Sequence, residues 1–501
     1  MTAYDYLIIG AGHNGLVSAA YLAKAGKKVL VLERRAMAGG QLVTENYGAG
    51  FHADALRAGG SLRPDIVNDL GLNAITHDAA TGYVSVLPDG RQLRLSAKVD
   101  DADVQASIRQ FSERDAARWP EFVAFMNKAA SFLEAAYSTP MPRLPNVALW
   151  REGLPLALLA WKLRRLGRKD MFRVIRAITM STIEFLEEWF ESEELKAAVA
   201  ALGVHGVTLG SMSAGTGYTL MHQWLLRGGL AQQPITGGSG RLADALVEVL
   251  VANGGELRTA SAVQKINVEN QRAVGVTLAN GEQIPAGCVL SAADPRHTLL
   301  TLVGARELPP EFAWQTQSIK MRGSVATLHL LTNGEHGIPA GTVVIAPTLK
   351  YLERAYDAAK YGEISAQPYL EVTTAGKVVS VHFQSAPFHL KNADWADQRV
   401  VVEQHALATL SAYFPSLKAS VQSVKVITPQ DLETIYGLTE GDLNHGQLIL
   451  DQIMFMRPLP GWSNHKTPID GLYLCGSGVH GGGGISGVSG RNAATFVLKN
   501  P

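Results

Sequence analysis

The 501-residue sequence has little cysteine, no net charge and no long apolar run. Two cysteines, Cys288 and Cys475, are too few for a disulfide framework or a multi-cysteine metal site, and the histidines show no ligand spacing, so we expect no metal. The 45 basic and 45 acidic residues balance, which argues against a nucleic-acid partner. The best apolar run, Leu154 to Trp161, contains Pro155 and is too short to span a membrane. No basic leader is visible, so we expect a soluble, cytoplasmic protein.

Glycine, by contrast, is abundant: there are 50 glycines, and they cluster near the two ends of the chain. Hydrophobic residues make up 47% of the sequence and charged residues 18%, so the chain can bury a large core and global disorder is excluded. Glycine loses more conformational freedom on folding than any other residue. A local excess therefore indicates places where the backbone itself must approach something closely.

The first 33 residues follow the pattern of a dinucleotide-binding unit. An apolar strand over Tyr4 to Ile9 leads into the turn Gly10-Ala11-Gly12-His13-Asn14-Gly15, a helix over Asn14 to Ala25, a second strand over Lys28 to Leu32, and Glu33. A lone GxGxxG motif is weak evidence, but here strand, turn, helix, strand and acid are all in the register of one βαβ unit.

Each residue type in this unit has a physical role. Gly10 permits the tight turn, Gly12 lets the backbone approach a pyrophosphate, and Gly15 lets the helix lie close to the strand. The helix N-terminus stabilises the phosphates. Glu33 accepts hydrogen bonds from a ribose diol and repels a 2′-phosphate. This unit alone leaves both NAD and FAD open as the dinucleotide.

The residues that follow favour FAD. Arg34, the pair Gly39-Gly40 and the stretch Gly48 to Asp54 supply a basic residue and a second glycine loop just after the second strand. A long cofactor bent across the domain needs such a loop, whereas a nicotinamide dehydrogenase does not. Another glycine segment, Gly237 to Arg241, opens a predicted helix over Leu242 to Val251. No apolar strand precedes that segment, so we expect no separate nicotinamide domain.

The C-terminal end combines a short strand with a second glycine cluster. Gly471 to Leu474 is typical of a strand, and it is followed by Cys475 to His480, by four consecutive glycines at Gly481 to Gly484, and by a helix ending near Lys499. Such a backbone fits where the chain must lie flat against a planar or anionic group, and the N-terminus of the last helix favours negative charge there. A flexible linker is the alternative.

Taken in order, these segments resemble the FAD-dependent oxidoreductases of the phytoene desaturase and carotenoid isomerase type, within the amine-oxidase-like flavoproteins. The segments that carry the resemblance are DYLIIGAGHNGL, VLSAADP, LNHGQLILDQIMFMRPLP and GLYLCGSGVHGGGGISGVSGRNAA. They are most similar to the branch named for a pyridine nucleotide-disulfide oxidoreductase domain, although no Cys-x-x-Cys is present. The resemblance spans most of the chain and is loose from about Gly90 to Thr236.

The resemblance implies an α/β fold. It consists of a Rossmann-type FAD-binding domain, glutathione-reductase-like and discontinuous, joined to an α+β substrate domain. The FAD-binding domain would comprise residues 1–75, 234–300 and 465–501, and the substrate or lid domain would comprise residues 76–233 and 301–464.

The resemblance also implies a non-covalent FAD, since the family does not require a covalent link to the nearby cysteine. The main chain near Val263 would meet the adenine, His13 would pack beside the pyrophosphate, and Gly476, Gly484 and Ile485 would lie along the ribityl chain and the flavin. The full set of expected cofactor-binding residues is Gly10, Gly12, His13, Asn14, Gly15, Glu33, Arg34, Gly39, Gly40, Gln41, Val263, Gly476, Gly484 and Ile485.

Two histidines are candidates for catalysis. His480 lies between two glycine-rich turns that approach the flavin, and it is a base, a hydrogen-bond donor or only a spacer. His52 lies beyond the Gly48 loop with Asp54 and Arg57, where a structural ion-pair cluster is the alternative. Lys320 is a further candidate, by analogy with the lysine that contacts flavin N5 through water in amine oxidases.

The expected activity is oxidation or desaturation of an apolar or aromatic small molecule by hydride transfer to flavin N5, with re-oxidation by oxygen or a quinone. One alternative is a redox-neutral isomerase of a polyene or alkene, and another is a flavin-binding interaction protein without turnover. Product mass separates oxidation from isomerisation, because desaturation removes two hydrogens per bond.

The segment from Trp161 to Arg176 predicts a basic amphipathic helix. It carries seven basic residues against a single acid, Asp170, with apolar residues between them. Such a helix can lie on an anionic membrane surface and admit a lipophilic substrate. A solvated lid or a homo-oligomer contact is the alternative.

Overall fold

The computed structural model describes residues 4–48, 51–56, 60–78, 82–141 and 149–500, and for 149–152 the backbone alone. In these residues the strands form two seven-stranded sheets and one two-stranded hairpin.

The strands in the described part of the chain are β1 (Tyr4–Ile9), β2 (Val29–Leu32), β3 (Thr44–Asn46), β4 (His52–Asp54), β5 (Tyr83–Val86), β6 (Gln92–Leu95), β7 (Glu256–Arg258), β8 (Val263–Glu269), β9 (Arg272–Leu278), β10 (Gln283–Ser291), β11 (Val325–Thr332), β12 (Thr342–Ile345), β13 (Leu370–Ala375), β14 (Val378–Gln384), β15 (Val421–Ile427) and β16 (Leu472–Leu474). The helices are α1 (His13–Lys24), α2 (Pro64–Leu70), α3 (Ala102–Arg109), α4 (Glu113–Ser138), α5 (Leu149–Arg165), α6 (Arg168–Thr179), α7 (Thr182–Glu187), α8 (Glu193–Val204), α9 (Thr216–Arg227), α10 (Gly240–Ala252), α11 (Pro310–Gln317), α12 (Leu349–Lys360), α13 (Trp395–Tyr413), α14 (Leu417–Ser420), α15 (Pro429–Thr434) and α16 (Val488–Lys499), and His297–Gly304 is π-helical.

The first sheet has the strand order β7-β2-β1-β10, with β16 beside the end of β10, and these strands are all parallel. The first half of β10 continues into an antiparallel ladder with β9 and β8. Ile9 is in register with both Leu32 and Ser291, and Ser291 is in register with Leu474. The carboxyl ends of four strands from distant parts of the chain therefore meet at one edge, which is where parallel sheets of this kind bind ligands.

Both faces of the first sheet are covered. The sequence of β2 is VLVL and all four residues are buried, as expected for a parallel strand with structure on both sides. Ile8 and Val31 face the core under α1, α10 and α16. Leu7 and Leu30 face the opposite core, which β8, β9, α11 and the π-helical segment complete.

The second sheet has the strand order β15-β11-β14-β13-β12-β5-β6, and its neighbouring strands are antiparallel except for β12 and β5. One face is apolar: Val379, Val381 and Phe383 of β14 pack with α13. The opposite face carries His382 and Gln384 of the same strand, and it lies against the ends of α8 and α9.

The predicted α/β class with a Rossmann-type sheet is confirmed. The helices predicted over 14–25 and 242–251 are α1 and α10, and their ends differ from the prediction by one or two residues. The strands of the first sheet come from the three stretches expected to form the FAD-binding domain. The domain bounds themselves stay a prediction.

The segment expected to be one basic helix is instead the end of α5 and most of α6. The break falls at Gly167, whose φ of +85° lies in the left-handed region that ends helices at glycine. Among the described residues, no helix combines the length and the apolar composition needed to cross a membrane.

Candidate cofactor-binding site

A cavity with a volume of about 390 Å³ opens at the carboxyl edge of the first sheet. Its walls come from the turn after β1, the end of β2, the start of β8, the loop after β10 and the region from 433 to 445. Ten of the fourteen residues expected to bind the cofactor line it: Gly10, Gly12, His13, Asn14, Gly15, Glu33, Arg34, Gly40, Gln41 and Val263.

The turn after β1 has a geometry that requires glycine. A Cβ on Gly15 would lie 2.1 Å from the carbonyl oxygen of Gly10, because α1 lies directly against the turn. Gly40 approaches Gly12 so closely that its Cβ would lie 3.0 Å from Gly12 Cα. A Cβ on Gly12 itself would meet nothing within 4 Å. The turn therefore leaves open space beside its backbone, at the N-terminus of α1, where a phosphate can approach.

Glu33 lies directly after β2, as the sequence predicts. Its buried carboxylate accepts hydrogen bonds from the backbone amides of Ala11 and Arg35, both at 2.9 Å. These bonds fix the carboxylate in the cavity wall and leave lone pairs for a ribose diol.

One wall of the cavity has no counterpart among the sequence predictions. That wall is the end of α15 and the residues after it, namely Glu433, Tyr436, Gly437, Leu438 and Thr439. Arg34 holds this segment by donating to the carbonyls of Glu433 and Thr434 at 3.3 and 3.1 Å. Thr439 Oγ1 donates to the carboxylate of Asp294 at 2.6 Å. Arg34 and Glu433 are 399 positions apart, and no local pattern predicts such a contact.

Other lining residues belong to segments that carry the family resemblance. Ala292 and Ala293 come from VLSAADP, His445 comes from LNHGQ, and Ser477 follows β16. The signal that marks these segments was present in the sequence, but it did not single out these residues.

The other four expected cofactor residues lie beside the cavity and not in its wall. Gly39 donates its amide N–H to the turn after β1 at 2.8 Å. Gly476 packs closely on Ala292, the residue after β10. A Cβ on Gly476 would lie 2.4 Å from the carbonyl oxygen of Ala292. The backbone of Gly484 hydrogen-bonds to the ring of His13. Ile485 is buried in the core shared by α1 and α16.

Neither candidate catalytic histidine lines the cavity. His480 is buried, and its Nε2 lies 3.1 Å from the carbonyl oxygens of both Ala136 and Thr139, so it ties the glycine run to the end of α4. Burial lowers the pKa of His480. His52 is exposed on the β3–β4 hairpin, opposite Asn46. The catalytic roles of both residues stay predictions.

Of the residues named with His52, Arg57 lies outside the described residues. Asp54 accepts hydrogen bonds from Thr44 Oγ1 at 2.7 Å and from the amide of Ser239 at 2.8 Å. Lys320 is about half exposed, 3.8 Å from a carboxylate oxygen of Asp451 and outside the cavity wall.

A buried hydrogen-bond network that the sequence did not indicate lies beside the glycine run. Tyr137 Oη is 2.6 Å from Tyr218 Oη and 2.8 Å from Nδ1 of His222. The other ring nitrogen of His222, Nε2, is buried without a hydrogen-bond partner. A Cβ on Gly483 would lie 2.8 Å from this nitrogen. Burial and the charge of Arg457 lower the pKa of His222 to about 3, so its ring is neutral near neutral pH.

Cys475, directly after β16, is fully buried in the core beneath α1 and α16. Burial raises the pKa of its thiol to about 12, so the thiol is protonated and unreactive. The residues that the structure describes contain no group of three histidine, cysteine, aspartate or glutamate side chains placed to hold a metal ion.

The residues of the cavity fit the ADP half of a dinucleotide. The glycine turn is open at Gly12, the N-terminus of α1 faces the same space, and the Glu33 carboxylate is held at the far end of β2. A buried acid after the second strand and an open glycine turn at the N-terminus of α1 define a dinucleotide-binding protein of the Rossmann type.

The chain belongs to the family described as Flavin containing amine oxidoreductase, whose model matches residues 15–498. The protein is therefore a flavin-dependent oxidoreductase and its cofactor is FAD, as the resemblance implied.

Three curated relatives match nearly the whole chain. Pyridine nucleotide-disulfide oxidoreductase domain-containing protein 2 of Rattus norvegicus is 33% identical, over 99% of this chain and 94% of its own. One of the limonene dehydrogenase polypeptides of Castellaniella defragrans is 26% identical with the same coverage. Phytoene desaturase (lycopene-forming) of a Paracoccus species is 25% identical, over 98% of this chain and 96% of its own. The resemblance inferred from the sequence is confirmed.

Two solved structures share the fold. An oxidoreductase from Methanosarcina mazei has a TM-score of 0.58 at 18% identity, and cyclohexylamine oxidase from Brevibacterium oxydans has a TM-score of 0.57 at 16% identity. In both cases 99% of each chain is covered. At these identities the similarity is one of fold alone.

Proposed function

We propose that the cavity binds FAD non-covalently through the residues predicted for it. Gly12 and the first amides of α1 would receive the pyrophosphate, the Glu33 carboxylate the ribose diol, and the backbone at Val263 the adenine. The protonated, buried state of Cys475 supports a non-covalent cofactor.

We further propose that the protein removes hydride from a C–H bond of an apolar or aromatic small molecule, with re-oxidation by oxygen or a quinone. The observation that carries this proposal is the full-length match to relatives named for limonene and phytoene, both hydrocarbons. When bound, the flavin supplies the acceptor for the hydride. The protein must exclude water, orient the substrate and accept the proton that desaturation releases.

The network beside the glycine run is suited to that proton transfer. With Nδ1 of His222 engaged by Tyr137, the unpartnered Nε2 is the free position on the ring, next to Gly483. Tyr218 bonds to Tyr137 in turn and its ring stacks on His222, which holds the imidazole in one orientation. For Nε2 to accept a proton, Nδ1–H must donate to Tyr137, and the substrate must take the place of the packing against Gly483 and offset the burial that lowers the pKa of the ring.

Substrate oxidation is tested with FAD-loaded protein under anaerobic conditions, using limonene as the first probe. We expect flavin absorbance to bleach, the product to lack two hydrogens, and air or a quinone to restore the absorbance. A product of unchanged mass would indicate an isomerase, and a requirement for NADPH would contradict the proposed source of the hydride.

The proton acceptor is tested with the variant H222N, which keeps an amide near the position of Nδ1 to bond Tyr137. We expect flavin reduction by substrate to slow by about 10²–10⁴-fold, the usual contribution of a general base. H336N is a matched control, since His336 accepts a hydrogen bond from Ile338 in a surface loop outside the cavity. Equal rates for H222N and wild type would contradict this role.

We also propose that α5 and α6 contact an anionic membrane from which a lipophilic substrate enters. Leu154, Leu158 and Trp161 form an exposed stripe on α5, at 66%, 51% and 55% exposure. Phe172 and Ile175 are exposed on α6. Exposed apolar side chains next to basic ones are the pattern of helices that lie in the headgroup region.

The charges on these helices support the same partner. Lys162, Arg164, Arg165 and Arg168 have no salt-bridge partner among the described residues, so they are available for lipid phosphates. On α6, by contrast, Lys169 and the later arginines pair with acids of α4 and the residues after α7.

A groove lies beside this surface. It has a volume of about 290 Å³ and is lined by Leu154, Leu158 and Trp161 on one side and by Thr139 on the other. The carbonyl of Thr139 accepts a hydrogen bond from His480, directly before the glycine run. Through Thr139 the groove is thus in contact with the residue that precedes the glycine run.

Sedimentation with vesicles tests the membrane contact. We expect binding to phosphatidylglycerol-containing vesicles at low salt, weaker binding to neutral phosphatidylcholine vesicles, and loss of binding in W161S and in K162E/R165E. W314S is the matched control, because Trp314 on α11 is also exposed, at 68%. Absence of binding, or concentration-dependent self-association through the same residues, would contradict the proposal.

A further inference from the structure

Two histidines line the cavity from opposite ends of the chain. His13 is the first residue of α1 and is buried, and His445 lies in the loop after α15 and is partly exposed. Each has one buried ring nitrogen without a hydrogen-bond partner, Nε2 of His13 and Nδ1 of His445. The backbone of His445 has a φ of +57°, in the left-handed region that non-glycine residues rarely adopt. The surrounding structure thus holds His445 at the cavity wall in an unfavourable conformation.

The charges that line the cavity do not match a pyrophosphate unless a histidine is protonated. The permanent charges in the cavity wall are the carboxylates of Glu33 and Glu433 and the guanidinium of Arg34. That guanidinium already donates to two backbone carbonyls of the α15 segment. The pyrophosphate of FAD brings two further negative charges. The remaining groups in the wall able to carry positive charge are three histidines, His13, His445 and the exposed His297.

The pKa values of the two histidines are set by burial and by neighbouring charges, so that an added anion can raise them. Burial and, to a smaller extent, the nearby His445 lower the pKa of His13 to about 4, although the Gly484 backbone acts in the opposite direction. Burial also lowers the pKa of His445, with Arg457 acting in the same direction and Asp294 and Asp442 in the opposite one. Both rings are therefore neutral at neutral pH before the cofactor arrives. Because a charge on one ring disfavours a charge on the other, the pair accommodates one proton more readily than two.

We propose that FAD binding is coupled to the uptake of one proton shared by His13 and His445, and that the resulting imidazolium neutralises part of the pyrophosphate charge. This inference rests on the placement of FAD in the cavity, proposed above. The imidazolium adds a full positive charge to the partial positive charge that the glycine turn and the helix N-terminus already present to the pyrophosphate.

Linkage gives the sign of the pH dependence. FAD raises the affinity of the pair for a proton, so the affinity for FAD falls as the pH rises from the pKa of the free pair to the higher pKa of the complex, and it is constant outside this window. The change is up to about tenfold in Kd per pH unit for one proton. FAD itself takes up no proton near neutral pH, so the dependence reports on the protein.

The experiment is calorimetric titration of FAD into the cofactor-free protein, in two buffers of equal pH and different ionisation enthalpy. We expect an uptake of about one proton near neutral pH. We expect the double variant H13Q/H445Q to lose the uptake and to bind FAD with a Kd that no longer depends on pH. H336Q, a surface histidine, should behave as wild type. Thermal unfolding of each cofactor-free variant shows whether it is folded.

Two results would overturn the inference while leaving the FAD site intact. One is tight FAD binding by the wild type without proton uptake, which would mean that both imidazoles act as neutral donors. The other is undiminished uptake in the folded double variant, which would assign the proton elsewhere. If the wild type bound no FAD, the placement of the cofactor would fail together with this inference.

Discussion

The two seven-stranded sheets differ in the chemical groups that they present on their faces and edges. The first sheet is apolar on both faces, and what it offers at its carboxyl edge is mainly backbone: open glycine turns, free amides and one carboxylate held by two amides. The second sheet is apolar on one face alone. Its other face carries buried charged and polar side chains whose partners come from helices far away in the chain. The first sheet thus presents mainly backbone groups at its ligand-binding edge, whereas the second sheet presents side-chain networks.

The centre of the polar face is a fully buried ion pair. Arg227, at the end of α9, donates from Nη1 to the Glu371 carboxylate on β13 at 2.8 Å, and neither side chain is exposed. Gln232 donates to the other carboxylate oxygen, Oε1, at 2.8 Å. Tyr369 donates to Oε2, the oxygen that Arg227 also bonds, at 3.3 Å. The first sheet contains no comparable pair among the residues of its two described cores.

Breaking this pair should have the largest effect on stability. R227M leaves the Glu371 carboxylate buried without its cation, and we expect the free energy of unfolding to fall by about 3–5 kcal/mol. R227M/E371Q removes the charge while keeping an acceptor for Gln232, and should recover at least half of that loss. Urea denaturation of both variants is the measurement. A loss in R227M no larger than in the double variant would show that the pair is not what stabilises this face.

The corresponding test of the first sheet uses two glycines. G15A places a Cβ 2.1 Å from the Gly10 carbonyl oxygen, and we expect a loss of about 3 kcal/mol, at the upper end for overpacking. G12A adds the same methyl group where nothing lies within 4 Å, so it should leave unfolding of the cofactor-free protein unchanged. It should still weaken FAD binding by about tenfold or more, because the methyl group occupies the phosphate approach. Equal stability of the two variants, or unchanged FAD affinity in G12A, would contradict this account.

His480 connects the glycine run after the first sheet to the end of α4. Its replacement tests whether the role of His480 is structural. H480A removes the imidazole near the carbonyls of Thr139 and Ala136, of which Ala136 still accepts from the Thr139 amide, and we expect a loss of about 1–2 kcal/mol with little change in the rate of flavin reduction. Thermal unfolding and stopped-flow reduction measure the two effects. A fall in the reduction rate of about a hundredfold or more at unchanged stability would instead make His480 catalytic.

The smallest expected effect concerns the backbone conformation of the turn between β8 and β9. Asn270 and Gln271 join β8 to β9 with φ of +49° and +61°, the positive pair of a type I′ turn, for which Asn-Gly is preferred. Q271G should therefore stabilise the protein by about 0.5–1 kcal/mol. The next turn already has Asn280-Gly281, so G281Q should cost a similar amount. Changes of the same sign in both variants would contradict this reasoning.

The contrast between the sheets also explains what could be predicted from the sequence. The bounds of β1, β2, α1 and α10 were predicted to within one or two residues, because an apolar run, a glycine turn and a following acid are local signals. The wall at 433–439 could not be predicted, since Arg34 reaches it only after the whole chain has folded. The Tyr137–Tyr218–His222 network was missed for the same reason. The charge pattern over 161–176 indicated a polar face, but it carried no sign that Gly167 separates two helices.

The register at the edge of the first sheet has a consequence for how the protein is made. Leu474 of β16 pairs through β10 with the sheet that starts at Tyr4, and Gly490 of α16 accepts a hydrogen bond from Ser18 of α1. At ordinary rates of translation, roughly 20–90 s separate the emergence of β2 from that of β16. During this interval the apolar face of α1 lacks its covering helix and stays exposed to solvent. The segment from β16 to α16 therefore completes the packing of the segment from β1 to β2, which precedes it in the chain by more than 400 residues.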